Sequence, residues 1–160
     1  MKTEILSGFW LSSKNEVTES KFLLEKNLDF IVNCSTTNID NYISRLNEKY
    51  NKNIRYVNLP VRDVHLEIKR NSNLLVDNMN DITNMIHKYL KKNKNIVVMC
   101  DTGKLTSLTI GMCYIIRFGK VDFDYASMAI RSKNVLLDTT ENMYNYTIKQ
   151  YYIELKQQSQ

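Results

Sequence analysis

The sequence lacks the features that mark elongated, membrane-spanning or secreted chains. One proline and four glycines in 160 residues leave no Pro- or Gly-rich linker that would divide it. No apolar stretch approaches the roughly 20 residues that cross a bilayer, and Met1–Glu4 does not begin a signal peptide. With 43% hydrophobic and 24% charged residues, the composition predicts one globular domain over residues 1–160 that has no membrane partner.

Cysteine is also scarce, which bounds the compartment and the cofactors. Cys34, Cys100 and Cys113 lie far apart and lack the spacing of metal ligands. An odd, scattered set is typical of a reducing compartment and argues against a disulfide framework. We therefore expect a cytoplasmic protein that uses no metal ion and no cofactor.

Positive charge is in modest excess and is spread along the chain, with a net charge of +5 and an isoelectric point near 9.0. The densest basic run lies between His87 and Lys94 and contains Lys88, Lys91, Lys92 and Lys94. These lysines either complement the dipole at a helix C-terminus or form a surface for an acidic protein partner or nucleic acid. Nucleic acid is the less expected partner, because the aromatic-plus-basic pattern of RNA-binding modules is absent.

Strand-like and helix-like apolar patterns alternate along the chain. Apolar alternation and short apolar runs predict strands at residues 5–6, 9–11, 28–33, 55–59 and 96–99. Apolar residues at helical spacing predict helices around Phe22 and over residues 74–90, 107–118, 123–131 and 139–155. This order predicts an α/β fold in which a central sheet is covered by helices on both faces.

The stretch from Ile96 to Gly111 joins a buried strand to a helix through a cysteine and a short polar loop. Cys100 ends the strand, and residues 101–105 lead to the helix N-terminus. In α/β sheets, ligands bind at the carboxyl ends of the strands, where helix N–H groups attract anions and lower the pKa of a thiol. The position favours a thiolate that attacks a phosphate, although cysteine is also among the most commonly buried residues.

Five segments, in order along the chain, are similar to those of a known enzyme family. They are an opening hairpin at 5–13, a strand at 30–33, an aspartate-bearing segment at 57–63, a cysteine loop at 99–107 and a helical region at 129–144. Together they resemble the dual-specificity phosphatases of the cysteine-based protein tyrosine phosphatase superfamily, whose loop signature is His-Cys-x-x-Gly-x-x-Arg-Ser. The resemblance implies an α/β fold with a central, mainly parallel but mixed sheet of about five strands flanked by helices.

The resemblance also implies a reaction and the residues for it. In the family, a thiolate at the position of Cys100 attacks phosphorus, an arginine six positions later grips two phosphate oxygens, and an aspartic acid, here Asp63, protonates the leaving oxygen. This sequence has Thr106 in place of the arginine, Met99 in place of the histidine, and an acid, Asp101, directly after the cysteine. The implied phosphate loop consists of Asp101, Thr102, Gly103, Lys104, Leu105, Thr106 and Ser107.

The missing arginine decides what function we expect. A guanidinium makes two charge-assisted hydrogen bonds of about 1.5–3 kcal/mol each, whereas threonine supplies one neutral bond at most. A comparable arginine is worth about 10³–10⁵ in the rate of phosphoryl transfer, and Lys104 offers a point charge but no fork. We therefore expect a pseudophosphatase that binds a protein partner such as a phosphoprotein, with Cys100 and Asp63 as vestigial catalytic positions.

Other interpretations stay open at this point. A weak or specialised phosphatase would use Cys100 and Asp63 on phosphoproteins or RNA 5′ phosphates. A third hypothesis is redox sensing by Cys100 and Cys34, and its only support is that both cysteines lie at predicted strand ends. If the protein has no phosphatase activity, we expect purely structural roles for two retained residues: Gly103 allows the conformation of the loop backbone, and Ser107 caps the helix. Tyrosines at 144, 146, 151 and 152 are further candidates for a partner surface, or are half-buried helix residues.

Overall fold

A mixed sheet lies at the centre of the computed structural model, which describes residues 1–159 and all of their side chains except that of Ser20. Its strands are β1 Lys2–Leu6, β2 Phe9–Ser13, β3 Phe30–Asn33, β4 Arg55–Asn58 and β5 Ile96–Cys100. The 5-stranded sheet has the order β1-β2-β5-β3-β4. β1 is antiparallel to β2, and the remaining neighbours are parallel. This confirms the predicted α/β fold with a mainly parallel sheet of five strands.

Helices cover both faces of the sheet. They are α1 Lys14–Val17, α2 Ser20–Glu25, α3 Asp40–Tyr50, α4 Ile68–Lys91, α5 Thr106–Gly119, α6 Phe123–Lys133 and α7 Asn145–Gln158, with a 3₁₀ turn at His65–Glu67. Buried residues of α1 to α3 form one core layer with the sheet, and those of α4 to α7 form the other. Within residues 1–159, no helix combines the length and apolar character that a membrane crossing requires.

The central strand β5 separates the two core layers. Ile96, Val98 and Cys100 belong to the layer under α4 to α7, whereas Val97 and Met99 belong to the layer under α1 to α3. This division follows from the strand geometry, since successive side chains point to opposite faces. All five residues of β5 are apolar, and their side chains are buried on both faces of the sheet. Cys100 faces α5, and Met99 faces away from it.

The last helix begins later than predicted. It starts at Asn145, not at residue 139, because two polar side chains bind backbone N–H groups in the segment before it. Asp138 Oδ1 accepts from the N–H of Thr140 at 2.9 Å. Asn142 Oδ1 accepts from the N–H of Tyr144 at 2.9 Å. Local bonds of this type compete with helix formation. Residues 139–144 therefore form turns and bends, and Asn142 Nδ2 donates to the Leu105 carbonyl in the cysteine loop at 3.4 Å.

Candidate active site

Cys100 lies at the carboxyl end of β5, and the loop 101–105 folds over its sulfur. The residue is fully buried. Its Sγ accepts a hydrogen bond from the Gly103 N–H at 3.2 Å and donates one to Ser107 Oγ at 3.2 Å. Ser107 is the second residue of α5, and the position before the helix is held by Leu105, which makes no capping hydrogen bond. The expectation that Ser107 caps the helix is therefore wrong; its hydroxyl binds the thiol instead.

Gly103 allows the loop to press against the end of β2. Its φ of +78° lies in the left-handed region that favours glycine. A Cβ at this position would lie 2.6 Å from the Ser13 nitrogen and 2.8 Å from the Ser12 carbonyl carbon. Both contacts are with backbone atoms, which cannot turn aside. The close approach to β2 and the positive φ explain why the loop backbone needs a glycine at position 103.

Thr106 and Asp63 are in direct contact, although 43 positions separate them. Thr106 is the first residue of α5 and is fully buried, and its Oγ1 donates to Asp63 Oδ1 at 2.5 Å. Asp63 comes from the loop that follows β4, two strands away from β5 in the sheet. The fold therefore brings together the two residues that sequence reasoning placed on separate segments.

Tyr144 and Asn71 complete this cluster, and sequence reasoning did not include either in the site. The Tyr144 hydroxyl donates to Asp63 Oδ1 at 3.0 Å, and Asn71 Nδ2 donates to the Tyr144 hydroxyl at 3.1 Å and to the Arg62 carbonyl at 2.6 Å. Tyr144 is fully buried, so its candidacy for a partner surface was wrong. Its role is to hold Asp63.

The other candidate tyrosines divide between core and surface. Tyr151 is buried and donates to Asn80 Oδ1 at 2.7 Å, so it is wrong as a partner-surface residue. Tyr152 is half-buried. Tyr146 is 79% exposed and stays a candidate contact residue.

A comparison with protein families now bears on these residues. The model of the "Dual specificity phosphatase, catalytic domain" family matches residues 9–152, which include every residue of the site described above. The chain belongs to the dual-specificity phosphatase family.

Solved structures of dual-specificity phosphatases share the fold. A mouse putative dual specificity phosphatase complexed with zinc tungstate aligns with a TM-score of 0.77 at 13% identity, covering 99% of this chain and 90% of that chain. Human DUSP28 aligns with a TM-score of 0.75 at 13% identity, covering 97% and 95%. The human tyrosine phosphatase-like serine/threonine/tyrosine-interacting protein aligns with a TM-score of 0.69 at 13% identity, covering 99% and 97%. No curated protein sequence matches the chain.

The surroundings of Asp63 shift the pKa of its carboxyl group. Removal from water raises the pKa of its carboxyl group, and the nearby charge of Asp101 adds to the increase, whereas hydrogen bonds from Thr106 and Tyr144 act in the opposite direction. Oδ2 is buried and has no hydrogen-bond partner. Burial and the Asp63 charge likewise raise the pKa of Tyr144, so its hydroxyl keeps its proton and stays a donor.

Asp101 and Lys104, the charged residues of the loop, have different surroundings. Asp101 Oδ1 lies 3.6 Å from Lys14 Nζ, an ion pair between the loop and α1. Lys104 is exposed and makes no ion pair within the described residues. Thr102 is also exposed, and its Oγ1 accepts from the Lys104 N–H at 3.2 Å. The loop therefore has no cation held in a fixed position beside Cys100.

Cys34 lies next to Cys100 across the sheet. The last paired residues of β3 and β5 are Asn33 and Met99, and each cysteine follows one of them. The Cys34 N–H donates to the Met99 carbonyl at 2.8 Å, which extends the pairing by one residue. Both thiols are free and buried, and burial raises the pKa of Cys34. No group of metal-ligating side chains is present in residues 1–159.

The basic run lies far from this site. Lys88 and Lys91 belong to the last turn of α4, and Lys92 and Lys94 follow it; all four are exposed. The chain then enters β5 at Ile96 and reaches the cysteine loop only at the other end of that strand. The run is thus at the opposite edge of the sheet. The positive charges of Lys88 and Lys91 in the last turn complement the negative end of the α4 dipole, as one of the two interpretations expects.

Proposed function

We propose that this member of the dual-specificity phosphatase family is a pseudophosphatase, a catalytically inactive module that binds a protein partner such as a phosphoprotein. One observation carries the proposal. At the position of the family's arginine stands Thr106, a fully buried residue whose hydroxyl is already bound to Asp63.

Thr106 affects two catalytic functions, phosphate binding and proton donation. Without a guanidinium group, the site loses a contribution of about 10³–10⁵ in rate, by comparison with arginines that act on phosphoryl transition states. The carboxyl group of Asp63 is held by the first residue of α5, Thr106, and by Tyr144. A helix N-terminus is where an anion binds best. An internal carboxylate at this end of α5 therefore competes with a phosphate for the same donors.

The remaining framework supports a binding role. Gly103, Ser107 and Cys100 bond to one another and keep the loop folded without the arginine. The structurally similar human protein that is phosphatase-like by name is also named as an interacting protein. For the contact surface of this chain we retain Lys88, Lys91, Lys92 and Lys94 as candidates, with Tyr146 as a second location.

A weak or specialised phosphatase is the alternative function. It is favoured by the raised pKa of Asp63, since a protonated carboxyl group is what a general acid needs. It is also favoured by the Gly103 N–H and Ser107 hydroxyl on the Cys100 sulfur. Such an enzyme would act on phosphoprotein or on RNA 5′ phosphates.

Hydrolysis of an aryl phosphate by the purified chain tests the proposal. We expect wild-type turnover near the uncatalysed background, with no change in Cys100→Ser. Thr106→Arg should recover turnover only in part, because Met99 and Asp101 remain. Strong wild-type turnover that disappears in Cys100→Ser would overturn the proposal and establish the alternative.

A further inference from the structure

A cleft lies at the opposite edge of the sheet from Cys100. It has a volume of about 260 Å³ and is formed where the chain enters the parallel strands. Asp29 precedes β3, Arg55 begins β4, and Lys94 shortly precedes β5. Because parallel strands run in one direction, these positions share an edge, and the cysteine loop lies at the other one. The cleft is therefore separate from the phosphatase site.

Three cations line the cleft, and none has a partner. Lys52, Arg55 and Lys94 are exposed, and no carboxylate within residues 1–159 lies within 4.0 Å of them. The one acidic residue of the lining, Asp29, accepts the Asn95 N–H through Oδ2 at 2.8 Å. Like charges around a small cleft repel one another, and an anion placed between them relieves that repulsion. The charge of the cleft therefore selects an anionic ligand.

The floor of the cleft is apolar. Leu24 and Tyr89 are half-buried there and present apolar surface, and Tyr89 packs against Phe30 with ring centroids 4.5 Å apart. Ligand sites generally combine an apolar lining with a few polar groups that orient the ligand. A free phosphate would use the cations but leave this floor uncovered. A ligand that joins a phosphate to a flat apolar body would use both.

Hydrogen bonds hold the walls of the cleft in place. Asn47 receives the Ile54 N–H through Oδ1 at 2.8 Å and donates Nδ2 to the Ile54 carbonyl at 3.0 Å. Asn95 Nδ2 donates to the carbonyls of Lys26 and Asn27 at 3.2 and 3.1 Å. A site that is formed before binding spends less free energy on ordering itself. These bonds tie the segments at residues 26–27 and 54 to neighbouring parts of the fold.

We propose that this cleft binds a phosphate monoester that carries an aromatic ring, of the size of a nucleoside monophosphate. Lys52, Arg55 and Lys94 hold the phosphate, and the ring lies on the apolar floor. The free oxygen of Asp29 accepts a hydrogen bond from an amino group of the ring. The site does not depend on the proposed pseudophosphatase function, since no residue of the cysteine loop takes part.

Titration of the ¹⁵N-labelled chain with AMP, adenosine and inorganic phosphate tests the site. We expect AMP to shift the amide signals of residues 27–29, 52–55 and 94–95 and to bind at least tenfold more tightly than either adenosine or phosphate. The double variant Lys52→Gln/Lys94→Gln should weaken AMP binding at least tenfold, and Arg55→Gln should weaken it several-fold. Lys133→Gln, at an exposed lysine on α6, should leave it unchanged.

Several outcomes would overturn the site. They are AMP shifts confined to residues 101–107, an absence of shifts, unchanged affinity in the double variant, and an equal loss in Lys133→Gln. Equal affinity for AMP and inorganic phosphate would overturn the assignment of the apolar floor. Loss of the site would leave the proposed function intact, since that function is measured by aryl phosphate hydrolysis.

Discussion

Thr106 Oγ1 donates a hydrogen bond of 2.5 Å to Asp63 Oδ1, which joins the two residues that the sequence resemblance predicts at the family's arginine and general-acid positions. In an active family member these two positions act on the substrate. In this chain the buried hydroxyl of Thr106 and the carboxyl group of Asp63 bind each other. The contact therefore stabilises the fold.

The first prediction concerns this bond. Thr106→Val keeps the shape of the side chain and removes one hydrogen bond to Asp63 Oδ1, while the bond from Tyr144 remains. We expect a loss of about 1–3 kcal/mol in the free energy of unfolding, the range from an ordinary hydrogen bond to one with a charged partner. Urea denaturation measures it. Thr36→Val at an exposed position outside the site is the control and should stay within about 0.5 kcal/mol of wild type. Equal stability of both variants would show that the Thr106 hydroxyl does not hold Asp63.

The second prediction compares two glycines. Gly103→Ala places a Cβ at 2.6 Å from a backbone nitrogen in a residue with φ of +78°, so we expect destabilisation by more than about 2 kcal/mol. Gly119→Ala is the matched control, because its Cβ would meet only side-chain atoms at 3.7 Å or more, at the end of α5. That change should be neutral or stabilising by up to about 1 kcal/mol. Thermal unfolding of both variants checks the pair, and a stable Gly103→Ala would contradict the close packing of the loop on β2.

Sequence reasoning placed the cysteine loop well, because its signal is local. The apolar run of β5 ends at Cys100, and a helix follows within six positions. The contact of Thr106 with Asp63 had no local signal, because it depends on how two loops from different strands meet. The same holds for Asn71 and Tyr144, which are 73 positions apart.

Helix boundaries were predicted less well where apolar residues were few. Helix α3 was not predicted, and its only buried residues are Ile43 and Leu46. Helix α4 starts at Ile68, six residues before the predicted start, and its first turns bury only Asn71. A buried polar residue satisfied by a distant partner gives no apolar periodicity. The start of α4 therefore could not be predicted from the spacing of apolar residues.

The third prediction follows from the raised pKa of Asp63. A carboxyl group whose folded pKa exceeds its unfolded value, about 3.9, binds its proton more tightly in the folded state. It therefore contributes stability at low pH, and this contribution is lost as the pH rises through the folded pKa. We expect the stability of wild type relative to Asp63→Asn to fall between pH 3.5 and neutral pH. Denaturation of both proteins across this range measures the difference. A relative stability that rises with pH would mean that the Thr106 and Tyr144 bonds outweigh burial.

The fourth prediction is that the loop binds anions weakly because Asp63 occupies the helix N-terminus. We expect the loop's remaining N–H groups to converge on the start of α5, where such a nest attracts anions by its partial charges. Without a guanidinium, we expect phosphate, sulfate and a phosphotyrosine peptide to bind residues 101–107 at millimolar level or worse, about 4 kcal/mol or less. Asp63→Ala should strengthen phosphate binding at the loop several-fold by removing the competing carboxylate.

Calorimetry on wild type and Asp63→Ala gives the affinities, and amide shifts at 101–107 assign them to the loop. Asp81→Ala, at an exposed carboxylate on α4, is the control for net charge and should leave loop binding unchanged. If Asp63→Ala did not strengthen binding while Thr106→Arg did, the missing arginine alone would explain the weak affinity. Micromolar binding to wild type that is lost in Gly103→Ala would show instead that the pocket still recognises phosphate.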